Sequence, residues 1–468
     1  MLRHSAARRR LPALRAQILA SGLSLVVCAV AVHAQPPGAR DERPFSVTHY
    51  DVRLEPRLES RTMTGTVTLS VVLHRDDVAL ADATIALNRG RLEIDGVQED
   101  GRARAFVVDG NLVRITLPRA RPDEKRRAGP VDRPETRTLT ITYHGTPSSG
   151  LVFNEEREQI YTVFSTSQWM PALDEPSARA TLRLRLTMPR GWTAVASGRE
   201  VSQRELPANT VVMEWEQKRP VPTYTFGFAA GAFTEATDRA AGTALRYLGR
   251  GFTESEMRRV FGESAQMIRF FEQRSGVPYP GDTYAQALVA RTVGQEMAGL
   301  SIVSEDYGRA VIADPSAIGL IAHELAHQWW GNMVTCHAWT EFWLNEGFAT
   351  YMAAAYREER FGRDTYLNEV ASMKARYEQV RARGNDRPLV FPNWDRPTAD
   401  DRTIVYQKGA YALHELRELL GDSTFWTGIR RYTAEHFGRS VTTEDFRAAM
   451  EQASGTDLGA FFDRWVYK

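Results

Sequence analysis

The chain has 468 residues, of which 43% are hydrophobic, 25% charged and 10% aromatic, proportions that exclude a disordered, collagenous or low-complexity protein. Lys and Arg total 59 against 58 Asp and Glu, and five of the arginines fall within the first fifteen residues. The remainder therefore carries no basic excess of the kind a nucleic-acid-binding surface requires.

The N-terminus combines those arginines with a fifteen-residue apolar run, Ile18–Val32, and then Val32-His33-Ala34 before Gln35 and two prolines. This order reads as a secretory signal peptide over residues 1–34, cleaved after Ala34. The run falls short of the roughly 20 residues needed to span a membrane. The mature chain is thus expected to be exported, to a periplasm or to the cell exterior, without stable membrane insertion. Of the two cysteines, Cys28 lies in the removed segment, which leaves Cys336 alone and no disulfide framework.

From Ser46 onward apolar and polar residues alternate. Thr66–Val71, Thr138–Tyr143, Leu182–Met188 and the Thr/Tyr/Phe-rich Thr223–Phe228 each read as half-buried strands. Residues 45–235 are therefore expected to form an antiparallel, β-sandwich-like domain. Arg119–Arg137 is charged, Pro-rich and without period, as an exposed loop between strands would be. From Thr253 the spacing turns helical, with Met257, Val260, Phe261, Ala265, Ile268 and Phe271 on one face, and helices are expected to dominate from Pro315. Residues 236–468 form this second domain, giving an α+β multidomain chain. Its longest irregular stretch, Gly384–Thr403, ends just before the run Val405–Leu420. No internal repeat or heptad seam is present.

His323-Glu324-Leu325-Ala326-His327 lies in a helix-compatible stretch. Histidines four apart on a helix share a face and can reach one zinc ion, while Glu324 between them is placed to act as general base on a water activated by the metal. Composition alone produces such a match by chance in about one chain in a hundred. Glu346, with eighteen residues between it and His327, adds the third ligand that a catalytic zinc site with an open position needs. Trp330 and Met333 stand where a metzincin would have Gly and a third His. Cys336 and His337 remain alternative ligands.

His323–Asn332 (HELAHQWWGN) followed by Trp343–Ala349 (WLNEGFA) resembles the aminopeptidase-N and leukotriene-hydrolase family of gluzincin zinc peptidases. Gly294–Leu300 (GQEMAGL) is similar to that family's Gly-x-Met-Glu-Asn exopeptidase motif, with Glu296 at its glutamate and Gln295 and Met297 replacing its Met and Asn. The resemblance implies that Glu296 binds the substrate's α-amine. Tyr406–Ala410 (YQKGA) resembles the family's Tyr-x-Lys-Gly, which implies that the Tyr406 hydroxyl stabilises the oxyanion. Trp169–Pro176 (WMPALDEP) is similar to the family's β-domain landmark, and Gln168 is the nearest counterpart of its second α-amine ligand. Ala353 occupies the place, seven residues past Glu346, of an acid that often orients the zinc site, so that orientation must come from elsewhere. The chain ends at Lys468, as a short form lacking the family's C-terminal helical domain would.

The resemblance implies a β-sandwich-like domain followed by a thermolysin-like, mainly helical catalytic domain holding one Zn²⁺ per chain. The expected activity is that of a metalloaminopeptidase acting on peptides with a free N-terminus. An endopeptidase on the same zinc site and a catalytically silent peptide-binding protein are the rival readings; an intact Glu324 speaks against silence.

Overall fold

The computed structural model describes residues 43–74, 83–118, 135–392, 394 and 397–468. The signal peptide expected over 1–34 and residues 119–134 of the loop expected over 119–137 lie outside these. The last three residues assigned to that loop belong instead to the strand Glu135–Gly145.

The first half is built on an eight-stranded sheet. Its order is Arg199–Leu206, Thr210–Pro222, Arg179–Pro189, Phe45–Arg57, Thr62–Leu73, Glu135–Gly145, Glu93–Glu99 and Arg102–Ala103. Neighbours are antiparallel with one exception: Phe45–Arg57 and Arg179–Pro189 run parallel, His49 opposite Thr181. Local patterning carries no information about that pairing, since its partners are far apart in the chain. The alternation acts as expected, with Val67, Leu69, Val71, Leu139, Ile141, Leu182, Leu184 and Leu186 packed into one core. On the other face Arg183 pairs with Glu214, and Arg185 with Asp51. A three-stranded sheet (Ala83–Asn88, Leu112–Leu117, Phe106–Asp109) and a four-stranded sheet (Thr193–Ala196, Phe228–Gly231, Gln159–Thr162, Leu151–Asn154) complete this half.

Thr223–Phe228 is not a strand throughout. Thr223–Thr225 forms a 3₁₀ turn, and a strand begins only at Phe228. The buried Thr225 hydroxyl donates to Pro222 O (2.7 Å) and that of Thr223 to Leu173 O, so local side-chain bonds replace the ladder. The turn points Tyr224 toward the second domain.

That domain opens with a mixed sheet in the order Thr234–Ala240, Thr243–Gly249, Thr283–Val289, Leu300–Ser304 and Gly294–Met297. Its last three strands are almost wholly buried, which erases the alternation by which strands are read from sequence. Glu254–Phe261 begins at a Thr253/Glu256 capping box. Met257, Val260, Phe261, Ile268 and Phe271 then face the core, as their spacing predicts. Behind the sheet pack Gly319–Ala326, Trp343–Phe361, Arg363–Ala382, Gly409–Leu420, Asp422–His436 and Thr443–Ser454. A third cluster, including Tyr161, Ala229, Val289, Met297 and Ile302, joins the four-stranded sheet to the mixed one. Among the described residues no helix is long and apolar enough to cross a membrane.

Candidate active site

His323 lies in the last turn of Gly319–Ala326 and His327 caps its C-terminus, still helical at φ −57°, so both imidazoles leave the same face. Glu346 sits in the first turn of Trp343–Phe361 and meets them from the facing helix. His323 Nε2 lies 3.2 Å and His327 Nε2 3.4 Å from Glu346 Oε2, and the two nitrogens are 3.1 Å apart. Ligands about 2.0–2.2 Å from a tetrahedral ion stand about 3.3–3.6 Å from one another. The triangle is close to one face of such a tetrahedron, and two imidazoles with one carboxylate are a donor set suited to zinc. These residues fit the ion.

The imidazoles are oriented from behind. His327 Nδ1 donates to Trp330 O at 3.0 Å, which leaves the Nε2 lone pair for the metal. The turn that carries this carbonyl depends on Gly331 at φ 139°; a β-carbon there would lie 2.7 Å from His327 Nδ1. His323 Nδ1 is 3.4 Å from the Thr350 hydroxyl, one helical turn beyond Glu346. Trp330 O and Thr350 thus stand in for the acid absent at Ala353. Burial opposes protonation of His327, but the carboxylates of Glu346, Glu296 and Glu324 outweigh it and push its pKa up to about 10. Burial likewise opposes ionisation of Glu346, yet His327 and His323 hold it down to about 2. A cation entering the triangle must therefore displace the His327 proton.

Two more carboxylates converge on His327. Oxygens of Glu296 and Glu324 lie with a His327 nitrogen inside a 4.8 Å cluster, and both side chains are buried. Glu324 Oε2 and Glu296 Oε1 have no hydrogen-bond partner, so each presents an acceptor to whatever enters. Burial raises the Glu324 carboxyl well above its ordinary value and, with Glu346, takes Glu296 to about 8. Glu296 is carried by the edge strand Gly294–Met297, whose four residues are all buried.

Tyr406 enters from the opposite side on a π-turn, Ile404–Lys408, and its ring stacks on His323 (centroids 5.8 Å, planes 13° apart). Burial, with the three nearby glutamates, raises its pKa, so the hydroxyl keeps its proton and remains a donor. Its helix crosses that of Glu346 at two glycines: a β-carbon on Gly409 would fall 3.1 Å from Gly347 Cα.

The structure thus brings together His323, Glu324, His327, Glu346, Glu296 and Tyr406, residues spread over more than a hundred positions of the chain. It does not bring Gln168. That side chain lies against Gly90 and Gly150, whose missing β-carbons make room for it, on the β-domain side of its 3₁₀ turn. This placement lends the reading of Gln168 as an amine ligand no support. Cys336 and His337 are outside the converging clusters found among the described residues. Cys336 N donates to Asn345 Oδ1 (2.9 Å), in a buried strand where desolvation raises the thiol's pKa.

Three contributors were given no role by the sequence. Asn345 Nδ2 donates to the Tyr224 hydroxyl at 2.9 Å, and that hydroxyl donates to Gly331 O at 3.2 Å, so the β domain braces both metal-binding elements. Gln295 connects Glu296 to the β domain through Phe164 N. These bonds join residues more than a hundred positions apart.

Known proteins resemble the chain along both of its halves. The Peptidase M1 N-terminal domain model matches residues 46–225 and the Peptidase family M1 domain model residues 260–465. Aminopeptidase N of Lactococcus lactis subsp. lactis is 28% identical over 459 residues, covering 92% of this chain and 52% of that protein. Aminopeptidase M1 of Arabidopsis thaliana is 22% identical, covering 89% and 49%. The chain spans about half the length of these curated relatives. By contrast, the M1 zinc metallopeptidase of Deinococcus radiodurans superposes with a TM-score of 0.73 at 27% identity, covering 91% of this chain and 94% of that one. A glutamate-to-alanine variant of the Deinococcus radiodurans enzyme, bound to a Tyr-Ser-Ala substrate, gives 0.74 at 28% with the same coverage. With both family domains matched in tandem, on a fold shared with a zinc metallopeptidase and around a donor set that fits zinc, this chain is a member of peptidase family M1.

Proposed function

We propose that the protein is a zinc aminopeptidase that removes residues one at a time from peptides with a free N-terminus. The observation that carries the reading is the pair of unpartnered buried oxygens, Glu296 Oε1 and Glu324 Oε2, beside the His323, His327 and Glu346 triangle. One suits a substrate ammonium, the other a proton in transit. His323, His327 and Glu346 would hold the zinc ion, which when bound would supply Lewis acidity toward a carbonyl and toward water near neutral pH.

The chain's own groups do the rest. Glu324 Oε2 accepts the proton of the attacking water and delivers it to the leaving amine. The Tyr406 hydroxyl, kept protonated by its surroundings, donates to the oxygen on which charge develops. Glu296 Oε1 receives the ammonium and sets the distance from the N-terminus to the bond cut. The Arg-rich, apolar segment ending at Ala34 supports export of the enzyme.

The test is cleavage of a peptide and its N-acetylated twin, read by mass spectrometry. Sequential shortening of the free peptide, with the acetylated twin intact and Glu296→Ala inactive on the former, is the expected outcome. Internal cuts in the acetylated peptide would instead establish an endopeptidase, and tight binding without cleavage a capture protein.

A further inference from the structure

Gln295 is buried, 1% exposed, and both ends of its carboxamide are engaged. Oε1 accepts from Phe164 N at 3.1 Å, across the domain boundary. Nε2 donates to Glu296 Oε2 at 2.9 Å and to Glu296 O at 3.1 Å. The amide cannot be reversed: the opposite orientation would set its N–H₂ against the Phe164 N–H and its oxygen against the Glu296 carbonyl. The β domain holds its end under constraint. Phe164 and Ser165 both take the left-handed backbone region, φ 44° and 51°, which bulky or polar non-glycine residues occupy only where surrounding contacts fix them. The Phe164 ring is in turn stacked on Tyr224, centroids 6.4 Å apart.

Glu296 therefore has one oxygen tied to Gln295 and one free. A carboxylate held in this way cannot rotate its free oxygen away from the cluster it shares with Glu324 and His327. We infer that Gln295 is a positioning residue for the substrate's ammonium, linking Phe164 of the β domain to Glu296 so that Oε1 alone is presented to the N-terminus. The inference rests on the aminopeptidase reading and goes beyond it. The methionine that the resembled motif carries at this position could make neither bond.

The test uses the full chain with zinc bound, as wild type and as two variants. Gln295→Met keeps the volume and removes both bonds; Gln295→Glu keeps the acceptor for Phe164 but sets a like charge beside Glu296. The readout is the ratio of inhibition constants for leucine hydroxamate and its des-amino counterpart, 4-methylpentanohydroxamate, with zinc content and KM measured alongside. A charge-assisted bond to a buried carboxylate is worth about ten-fold to a hundred-fold. In Gln295→Met the wild-type preference for the amine should fall by about ten-fold, with the des-amino constant and zinc content unchanged and KM rising more than kcat falls. Gln295→Glu should lose more. An unchanged ratio in Gln295→Met, or in Gln295→Glu should the first variant fail to retain zinc, overturns the inference. If the wild type itself shows no preference for the amine, the aminopeptidase reading fails with it, so the two failures are distinct.

Discussion

Substituting Gly409→Ala tests whether the contact of two glycines places Tyr406. The new β-carbon would lie 3.1 Å from Gly347 Cα and 3.7 Å from Trp343 Cβ. The reciprocal β-carbon on Gly347 would lie 3.1 Å from Gly409 Cα and 3.3 Å from Val405 O. Carbon atoms rest at about 3.5–4.0 Å, so the helices must part by a few tenths of an ångström. The obstacle is backbone, which cannot swing aside as a side chain would. Overpacking of this kind costs about 1–3 kcal/mol, or a fall in Tm of about 2–12 °C for domains of this size. Tyr406 lies three residues upstream on the π-turn, so the displacement carries its hydroxyl away from the reacting oxygen. A 1 Å misplacement costs about a hundred-fold, and a shift of this size should lower kcat by about ten-fold. Steady-state kinetics on an N-terminally free peptide, a thermal melt and metal analysis read the three quantities, with zinc content expected to stay at the wild-type level. Wild-type kcat and Tm together would refute the reasoning. Loss of zinc in proportion to activity would also refute it, by showing that Glu346 and not Tyr406 had been moved.

Glu346→Ala removes one corner of the ligand triangle and should strip zinc from the purified protein; unchanged metal content would take Glu346 out of the ligand set. Glu324→Gln keeps shape but cannot accept a proton, so kcat should fall by about two to four orders of magnitude with zinc retained, and near wild-type turnover would overturn the general-base role. Asp174 is buried, and desolvation pushes its pKa up to about 7 from an ordinary 3.8. The folded state therefore holds a proton that the unfolded state releases between those values, and stability falls as pH rises from about 4 to about 7, by about 1.4 kcal/mol per unit at most. Asp174→Asn should accordingly gain stability over wild type progressively across that window in thermal melts. An equal pH slope in both proteins would contradict it.

How much of this was legible in the chain follows from how far each interaction reaches. Alternation in Thr66–Val71 and Leu182–Met188 reports a half-buried strand because successive residues themselves alternate between core and solvent. The same logic fails for Thr283–Val289 and Gly294–Met297, which are buried on both faces, and for Thr223–Thr225, where side-chain hydroxyls capture the backbone. The ligand set is legible because helical geometry alone puts His323 and His327 on one face, and because a facing helix can return Glu346 within eighteen residues. By itself, then, the sequence determines the two domain types and picks out the triangle of His323, His327 and Glu346 with Glu324 beside it. Tertiary structure alone decides what surrounds them. The parallel pairing of Phe45–Arg57 with Arg179–Pro189, the Tyr224 to Asn345 bond, the Phe164 to Gln295 link and the Gly347–Gly409 contact each join residues more than sixty positions apart. No local period records such a partner, nor the placement of Gln168 against Gly90 and Gly150.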